Sequence, residues 1–187
     1  MDIRKNALWI TRTAVLIALL LTIQFFTAPL GNQYITGVAG NLIMIVSLLT
    51  CGLTTGLTVA VISPVCASLM SFGPAFPPLV PFIALGNALL IIAWFVLSLF
   101  NKPDRSALKQ KAIGYVIAVA AAVVKFLTLY AGIVKIAVPY MLDLNEKQSA
   151  MLTLTFSYPQ IITATIGGVI ALTVVPPIQK ALNSRNR

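Results

Sequence analysis

Ten of the thirteen basic residues of this 187-residue chain fall in three short segments, and long apolar runs separate those segments. Arg4, Lys5 and Arg12 lie near the N-terminus, Lys102, Arg105, Lys109 and Lys111 in a polar patch over Asn101–Lys111, and Lys180, Arg185 and Arg187 in the C-terminal tail. Apolar stretches flanked by clustered Lys and Arg set both the solvent and the orientation, because such clusters stay on the cytoplasmic side of a bilayer. In hydrocarbon, backbone polar groups must be satisfied within each segment. The sequence therefore predicts an all-α, polytopic membrane protein: a six-helix transmembrane bundle in the cell membrane with both termini cytoplasmic.

Composition agrees. Hydrophobic residues make up 59% of the chain and charged residues 9%, against about a quarter charged in a soluble domain. Residues 1–187 read as a single membrane-embedded domain with no separate soluble module. The net charge of +9 does not point to nucleic acid, since the basic residues flank apolar spans and form no stripe with interleaved aromatics. Topology and anionic lipid headgroups account for them. The N-terminus is basic and then apolar, like a signal peptide, but the run Thr13–Phe26 leads into further apolar segments, so an uncleaved first span fits better. Cys51 and Cys66 have no metal-ligand spacing and the chain has no histidine, so no metal site is expected.

Six apolar segments are expected, at about Leu8–Ala28, Ile35–Thr50, Leu57–Phe72, Val80–Phe100, Ala112–Val138 and Ala150–Val175. A span needs roughly 20 residues, so the second and third are short enough to be a re-entrant pair. On this topology Pro29–Tyr34, Gly73–Leu79 and Tyr140–Ser149 face outside, while Cys51–Gly56 and Asn101–Lys111 face inside. Lys147 is the only basic residue in the three outer loops. Pro74, Pro77, Pro78 and Pro81 keep the second outer loop out of regular helix. Pro64 and Pro159 lie within expected helices, where a kink frees a carbonyl that needs another partner.

Polar side chains inside apolar segments are costly unless they face a partner or a cavity. Gln24, Asn41, Asn87, Lys135, Tyr158 and Gln160 all fall in the outer half of their segments, with Lys125 near the middle of the fifth. That common depth suits an outward-facing pocket. Asn32, Gln33, Tyr34, Phe72, Phe76, Tyr140 and Asp143 in the outer loops are candidates for its rim. The expected ligand contacts are Gln33, Tyr34, Asn41, Phe76, Asn87, Lys125, Lys135, Tyr158 and Gln160. Structural readings stand beside these. Lys135 can snorkel to headgroups, the asparagines can bond between helices, Gln160 can satisfy the carbonyl freed by Pro159, and the aromatics can anchor at the interface. Lys125 is too deep to snorkel and no acid lies in any apolar segment. It must face the interior, where carbonyls, water or an anionic ligand stabilise it.

Chemistry is constrained by what the sequence lacks. It contains no phosphate-binding Gly-x-x-x-x-Gly-Lys-[Ser/Thr] loop, and its four acids, Asp2, Asp104, Asp143 and Glu146, lie outside the apolar spans. ATP hydrolysis, acid–base catalysis and proton relay through an intramembrane carboxylate have no residues to carry them, and no enzyme is expected.

Ala14 and Ala18, four apart in the first span, share a helix face and form a shallow groove that another helix can approach; by spacing alone such a pair marks internal packing. Taken together with Thr36-Gly37-Val38-Ala39-Gly40-Asn41, Ser63-Pro64, Gly73-Pro74-Ala75-Phe76 and Pro81-Phe82-Ile83-Ala84-Leu85-Gly86-Asn87, the chain resembles the substrate-binding S-components of energy-coupling factor (ECF) vitamin transporters, in a branch of predicted cobalamin carriers. The resemblance spans nearly the whole chain. It implies a subunit that binds a vitamin from outside, cobalamin by preference, and has no cofactor of its own. It further implies docking through Ala14 and Ala18 onto a membrane coupling (T) protein driven by two cytoplasmic ATPase subunits of ABC type. No substrate-contact residue carries over from the family. Pantothenate is the competing ligand, since Lys125 or Lys135 can pair with its carboxylate. A scaffold subunit that binds no small molecule, or a self-sufficient carrier, are the readings from other classes.

Overall fold

The computed structural model of the protein describes residues 3–74, 76–101 and 106–184. Lys102, Arg105, Arg185, Arg187, Asp2 and Asp104 lie outside the described residues. Helices α1 (Ile3–Thr27), α2 (Gln33–Cys51), α3 (Leu53–Leu69), α4 (Val80–Ser98), α5 (Ala107–Leu129), α6 (Glu146–Thr155) and α7 (Pro159–Ser184) follow in order, and no strand occurs among the described residues. Beyond Leu129, α5 continues as a wider π-helix over Tyr130–Met141. Five stretches are long and apolar enough to cross a membrane: Asn6–Leu30, Gln33–Cys51, Pro77–Ser98, Ala107–Met141 and Glu146–Leu182. Helix α3 is equally apolar but shorter, at 17 residues. The protein is an all-helical bundle compatible with a bilayer.

Several expected boundaries move, each for a local reason. The sixth segment, expected as one helix over Ala150–Val175, is two. Asn145 caps α6, accepting from the Gln148 backbone N–H at 2.9 Å while Gln148 Oε1 accepts from the Asn145 N–H at 3.2 Å. This reciprocal pair starts the helix within the expected loop Tyr140–Ser149. Pro159 does not kink a helix; it is the first residue of α7, where its missing N–H costs nothing. The expected inner loop Cys51–Gly56 shrinks to a corner at Gly52, whose φ of +93° few other residues adopt. Among its described residues the proline-rich stretch is out of α-helix up to Leu79, with a 3-10 turn at Pro77–Leu79, but Pro81, expected outside regular helix, sits in the first turn of α4, where a missing N–H is tolerated. The stretch begins by folding back onto α3: Gly73 N–H donates to Ala67 O at 2.9 Å, and a Cβ at Gly73 would lie 2.5 Å from Ser68 N.

Side-chain contacts give the helix directions. Gly37 meets Thr163 and Gln179 Nε2 donates to Leu49 O, so α2 and α7 run parallel. Gly56 meets Ile91, Gly86 meets Leu129 and Gly114 meets Leu172, which makes α3/α4, α4/α5 and α5/α7 antiparallel. One end of the bundle thus collects the N-terminal ends of α1, α3 and α5 with the C-terminal ends of α2, α4 and α7. Arg12, Lys109, Lys111 and Lys180 lie towards that end. The other end carries α6 and the proline-rich loop.

The main core joins Ile45, Val59, Leu90, Ile91 and Trp94 to small residues of α5 and α7, Ala118, Ala121, Ala122, Ala164 and Ala171. A second cluster at the α6 end holds Leu79, Leu129, Ile133, Leu152 and Phe156. Without a hydrophobic drive between helices in lipid, close approach of small residues supplies the packing. Backbone meets backbone where α2 crosses α7: a Cβ on Gly167 would sit 2.9 Å from Val38 O, Leu42 N and Asn41 Cβ. Gly167→Ala should therefore destabilise the bundle by about 1–3 kcal/mol, seen as a lower thermal-unfolding midpoint in detergent; an unchanged midpoint would rule out this crossing.

Candidate functional site

Lys125 organises the centre of the bundle. Its Nζ donates to Asn41 Oδ1 and to Asn87 Oδ1, both at 2.7 Å, and all three side chains are buried. An ammonium only donates, so each amide must turn its oxygen to Lys125 and its nitrogen away. Both nitrogens have acceptors. Asn41 Nδ2 donates to Gly37 O at 2.8 Å and lies 3.4 Å from Thr163 Oγ1, while Asn87 Nδ2 donates to Ala60 O at 3.4 Å.

That last bond has a cause in the sequence. Ala60 is four residues before Pro64, which is buried inside α3 and has no N–H for the Ala60 carbonyl. Asn87 supplies the missing donor from α4. Pro64 thereby helps fix the amide that holds Lys125, and a helix-breaking residue becomes part of a polar network across α2, α3, α4, α5 and α7.

The network forms the floor of a cavity of about 580 Å³ at the α6 end of the bundle. Its walls include Gln24 and Ala28 of α1, Asn32, Gln33, Thr36, Gly40 and Met44 at the start of α2, Ile83 of α4, Met151 and Thr155 of α6, and Gln160 of α7. A more apolar annex of about 210 Å³ adjoins it, sharing Gln24, Gly40, Met44 and Asn87 and adding Leu20, Ser63, Phe72 and Phe156. Gln24 Oε1 is buried and has no hydrogen-bond partner among the described residues. Gln160 Nε2 donates to Thr155 O at 3.1 Å, the carbonyl four residues before Pro159, so its nitrogen serves the α6–α7 turn although the residue lines the cavity.

Of the expected contacts, the structure brings Gln33, Asn41, Asn87, Lys125 and Gln160 to this cavity, with Gln24, Asn32 and, in the annex, Phe72. Others go elsewhere. Tyr34 and Tyr158 are 39% and 53% exposed and face each other outside the walls. Phe76 packs on the second core cluster. Lys135 is exposed, its Nζ 5.5 Å from the centroid of the Tyr130 ring, and Tyr140 and Asp143 are exposed as well. Depth placed these residues near one another, but the turn of each helix points them away. Thr36, Gly37, Gly40, Met44, Ser63 and Thr163 complete the site and were not among the expected contacts, although Thr36, Gly37, Gly40 and Ser63 lie in the stretches that carry the resemblance. Gly37 and Thr163 carried a signal in retrospect, standing four before Asn41 and three after Gln160.

Ala14 and Ala18 are both exposed on α1. Ala18 lines a shallow groove with Leu21, Thr22, Phe25 and Met70. The α1 span is 11% buried, against 33–39% for the other four, so most of this helix faces outward.

No family model, curated protein or solved structure matches the chain.

The network makes a quantitative expectation. Asn87→Leu strips Lys125 of one acceptor and Ala60 of its donor, and should cost about 1–3 kcal/mol. Combined with Lys125→Met it should cost less than the two single changes added together, because no ammonium is then left short of acceptors. Strict additivity in unfolding measurements would show that the contacts are independent.

Proposed function

We propose that this protein is the substrate-binding S-component of an ECF-type vitamin transporter, with six spans, both termini in the cytoplasm and the cavity open to the outside. One observation carries the reading: a cavity of about 580 Å³ lies at the end of the bundle away from Arg12, Lys109, Lys111 and Lys180, with buried polar groups converging on it from several helices. That volume falls within the roughly 300–1,000 Å³ of small-molecule sites. Cytoplasmic placement of the basic end follows from the preference of Lys and Arg for that side, and it turns the cavity outward.

Delivery requires partners. The chain has no nucleotide-binding loop, so energy comes from two cytoplasmic ATPases acting through a membrane coupling protein. The outward face of α1 at Ala14 and Ala18 is the proposed docking surface, since small exposed residues let a second helix approach closely. Rotation of the whole subunit in the bilayer carries the ligand inward. Keeping Lys125 buried among amides lowers the cost of that movement, because no intramembrane charge then meets hydrocarbon.

Cobalamin is the ligand the resemblance favours. It is large, and it would fill the cavity and extend past the mouth towards α6. Pantothenate or another small vitamin is the second reading, favoured by Lys125 at the cavity floor with no acidic side chain in the walls.

Equilibrium binding of a vitamin panel to the purified protein in lipid nanodiscs tests the central claim. Tight binding of one member is expected, whereas silence across the panel would favour a scaffold. Ala14→Trp or Ala18→Trp should abolish uptake in cells and leave ligand affinity unchanged, because bulk there separates docked helices and neither exposed alanine lines the cavity. Loss of affinity with docking preserved would move the alanines from the coupling surface to the pocket. Uptake in cells lacking the coupling proteins would instead indicate a self-sufficient carrier. Labelling from outside intact cells should reach Asp143 and neither terminus, a pattern that the reverse orientation would invert.

A further inference from the structure

Resting on the vitamin-binding reading above, we infer that the ligand is a small monocarboxylate, seated with its charge on the third N–H of Lys125 and with a hydroxyl or amide donor on Gln24 Oε1. The donor count is the first argument. A lysine ammonium has three N–H groups; two go to Asn41 Oδ1 and Asn87 Oδ1, and the third has no partner among the described residues. Lys125 nevertheless lines the cavity, so this free donor is available to whatever occupies it.

Charge is the second argument. Lys125 is 5% exposed and none of the residues lining the cavity is acidic. Amide oxygens hydrogen-bond an ammonium but bring no net charge to it, and in surroundings of low dielectric an unneutralised charge strongly favours an anion alongside. Lys125 is also the only basic residue in the walls. One cation with no second positive group suits one negative charge and gives a dianion nothing further to pair with.

The remaining polar groups narrow the class. Asn41 and Asn87 turn their oxygens to Lys125; Asn41 Nδ2 donates to Gly37 O and Thr163 Oγ1, and Asn87 Nδ2 to Ala60 O. Their first task is to orient the ammonium, and Asn87 keeps one N–H for the cavity. Among the described residues Gln24 Oε1 is a buried acceptor without a partner, on a side chain that lines both the cavity and the annex; a turn of that amide presents it to a donor on the ligand. Around these two anchors the annex offers apolar wall from Leu20, Pro64 and Phe156. An acid head, a nearby hydroxyl or amide N–H, and a compact aliphatic body match that arrangement.

Acid and neutral pairs of otherwise equal shape test this on the unmodified protein. Binding of pantothenate against panthenol and of biotin against biotinamide should be compared by calorimetry in nanodiscs, with cyanocobalamin in parallel. One acid should bind at least about 30-fold more tightly than its neutral counterpart, as expected when a buried charge loses its partner. Lys125→Met should abolish that gap. Equal binding of acid and neutral forms would overturn the inference. So would tight cyanocobalamin binding that Lys125→Met leaves unchanged, and either result would leave the vitamin-binding reading standing. No binding by any member of the panel would overturn both. Should Lys125→Met fail to fold, the comparison of acid with neutral form on the unmodified protein still decides.

Discussion

A single buried ammonium, held by two amide oxygens, governs how this bundle is put together. Taking Lys125 out of water is expensive, and the cost is offset only by good geometry. Asn41 and Asn87 meet that demand at 2.7 Å each, and each is oriented in turn by a carbonyl on its far side. The requirement propagates outward. For Asn41 to reach Lys125, α2 must lie against α7 closely enough for Gly167 to touch its backbone. For Asn87 to do so, α4 must face the gap that Pro64 opens in α3. Nondirectional apolar packing would tolerate many helix rotations, whereas this network fits one.

Position along each helix was legible in the sequence and rotation about its axis was not. Hydropathy located the first five apolar segments within a few residues, and the common level expected for Gln24, Asn41, Asn87 and Gln160 matches their convergence on one cavity. Amphipathic periodicity resolves rotation in soluble proteins, but in lipid both the core face and the outer face of a helix are apolar. Gln33 could not be told from its neighbour Tyr34, although the two divide between cavity and surface; Lys125 and Lys135 differ in depth, which already set the first towards the interior and left the second free to snorkel. Boundaries failed where one residue did the work of a loop. Gly52 alone turns the chain between α2 and α3, and the Asn145–Gln148 capping pair starts a helix inside an expected loop. Both signals are local backbone chemistry that a hydropathy window averages away.

Pro64 and Pro159 show how one residue type acquires two meanings. Pro64, inside α3, leaves the Ala60 carbonyl without its helical donor, and Asn87 of α4 supplies one. Pro159 opens α7 at a position that needs no donor, and the Thr155 carbonyl at the end of α6 accepts from Gln160 Nε2. The first bond ties two helices together at the site, while the second only shapes a turn beside it.

The shallow seating of α1 shapes the cavity wall. Helices α2, α3, α4, α5 and α7 interlock through glycine and alanine contacts, whereas α1 sets Leu20 into their core and two threonine pairs against them, Thr13 with Thr55 and Thr27 with Thr36, and leaves most of its surface outward. Gln24 and Ala28 of that helix line one side of the cavity. The cavity is thus walled on that flank by a single, outward-facing helix, and a body seated on its far side stands one helix away from the ligand.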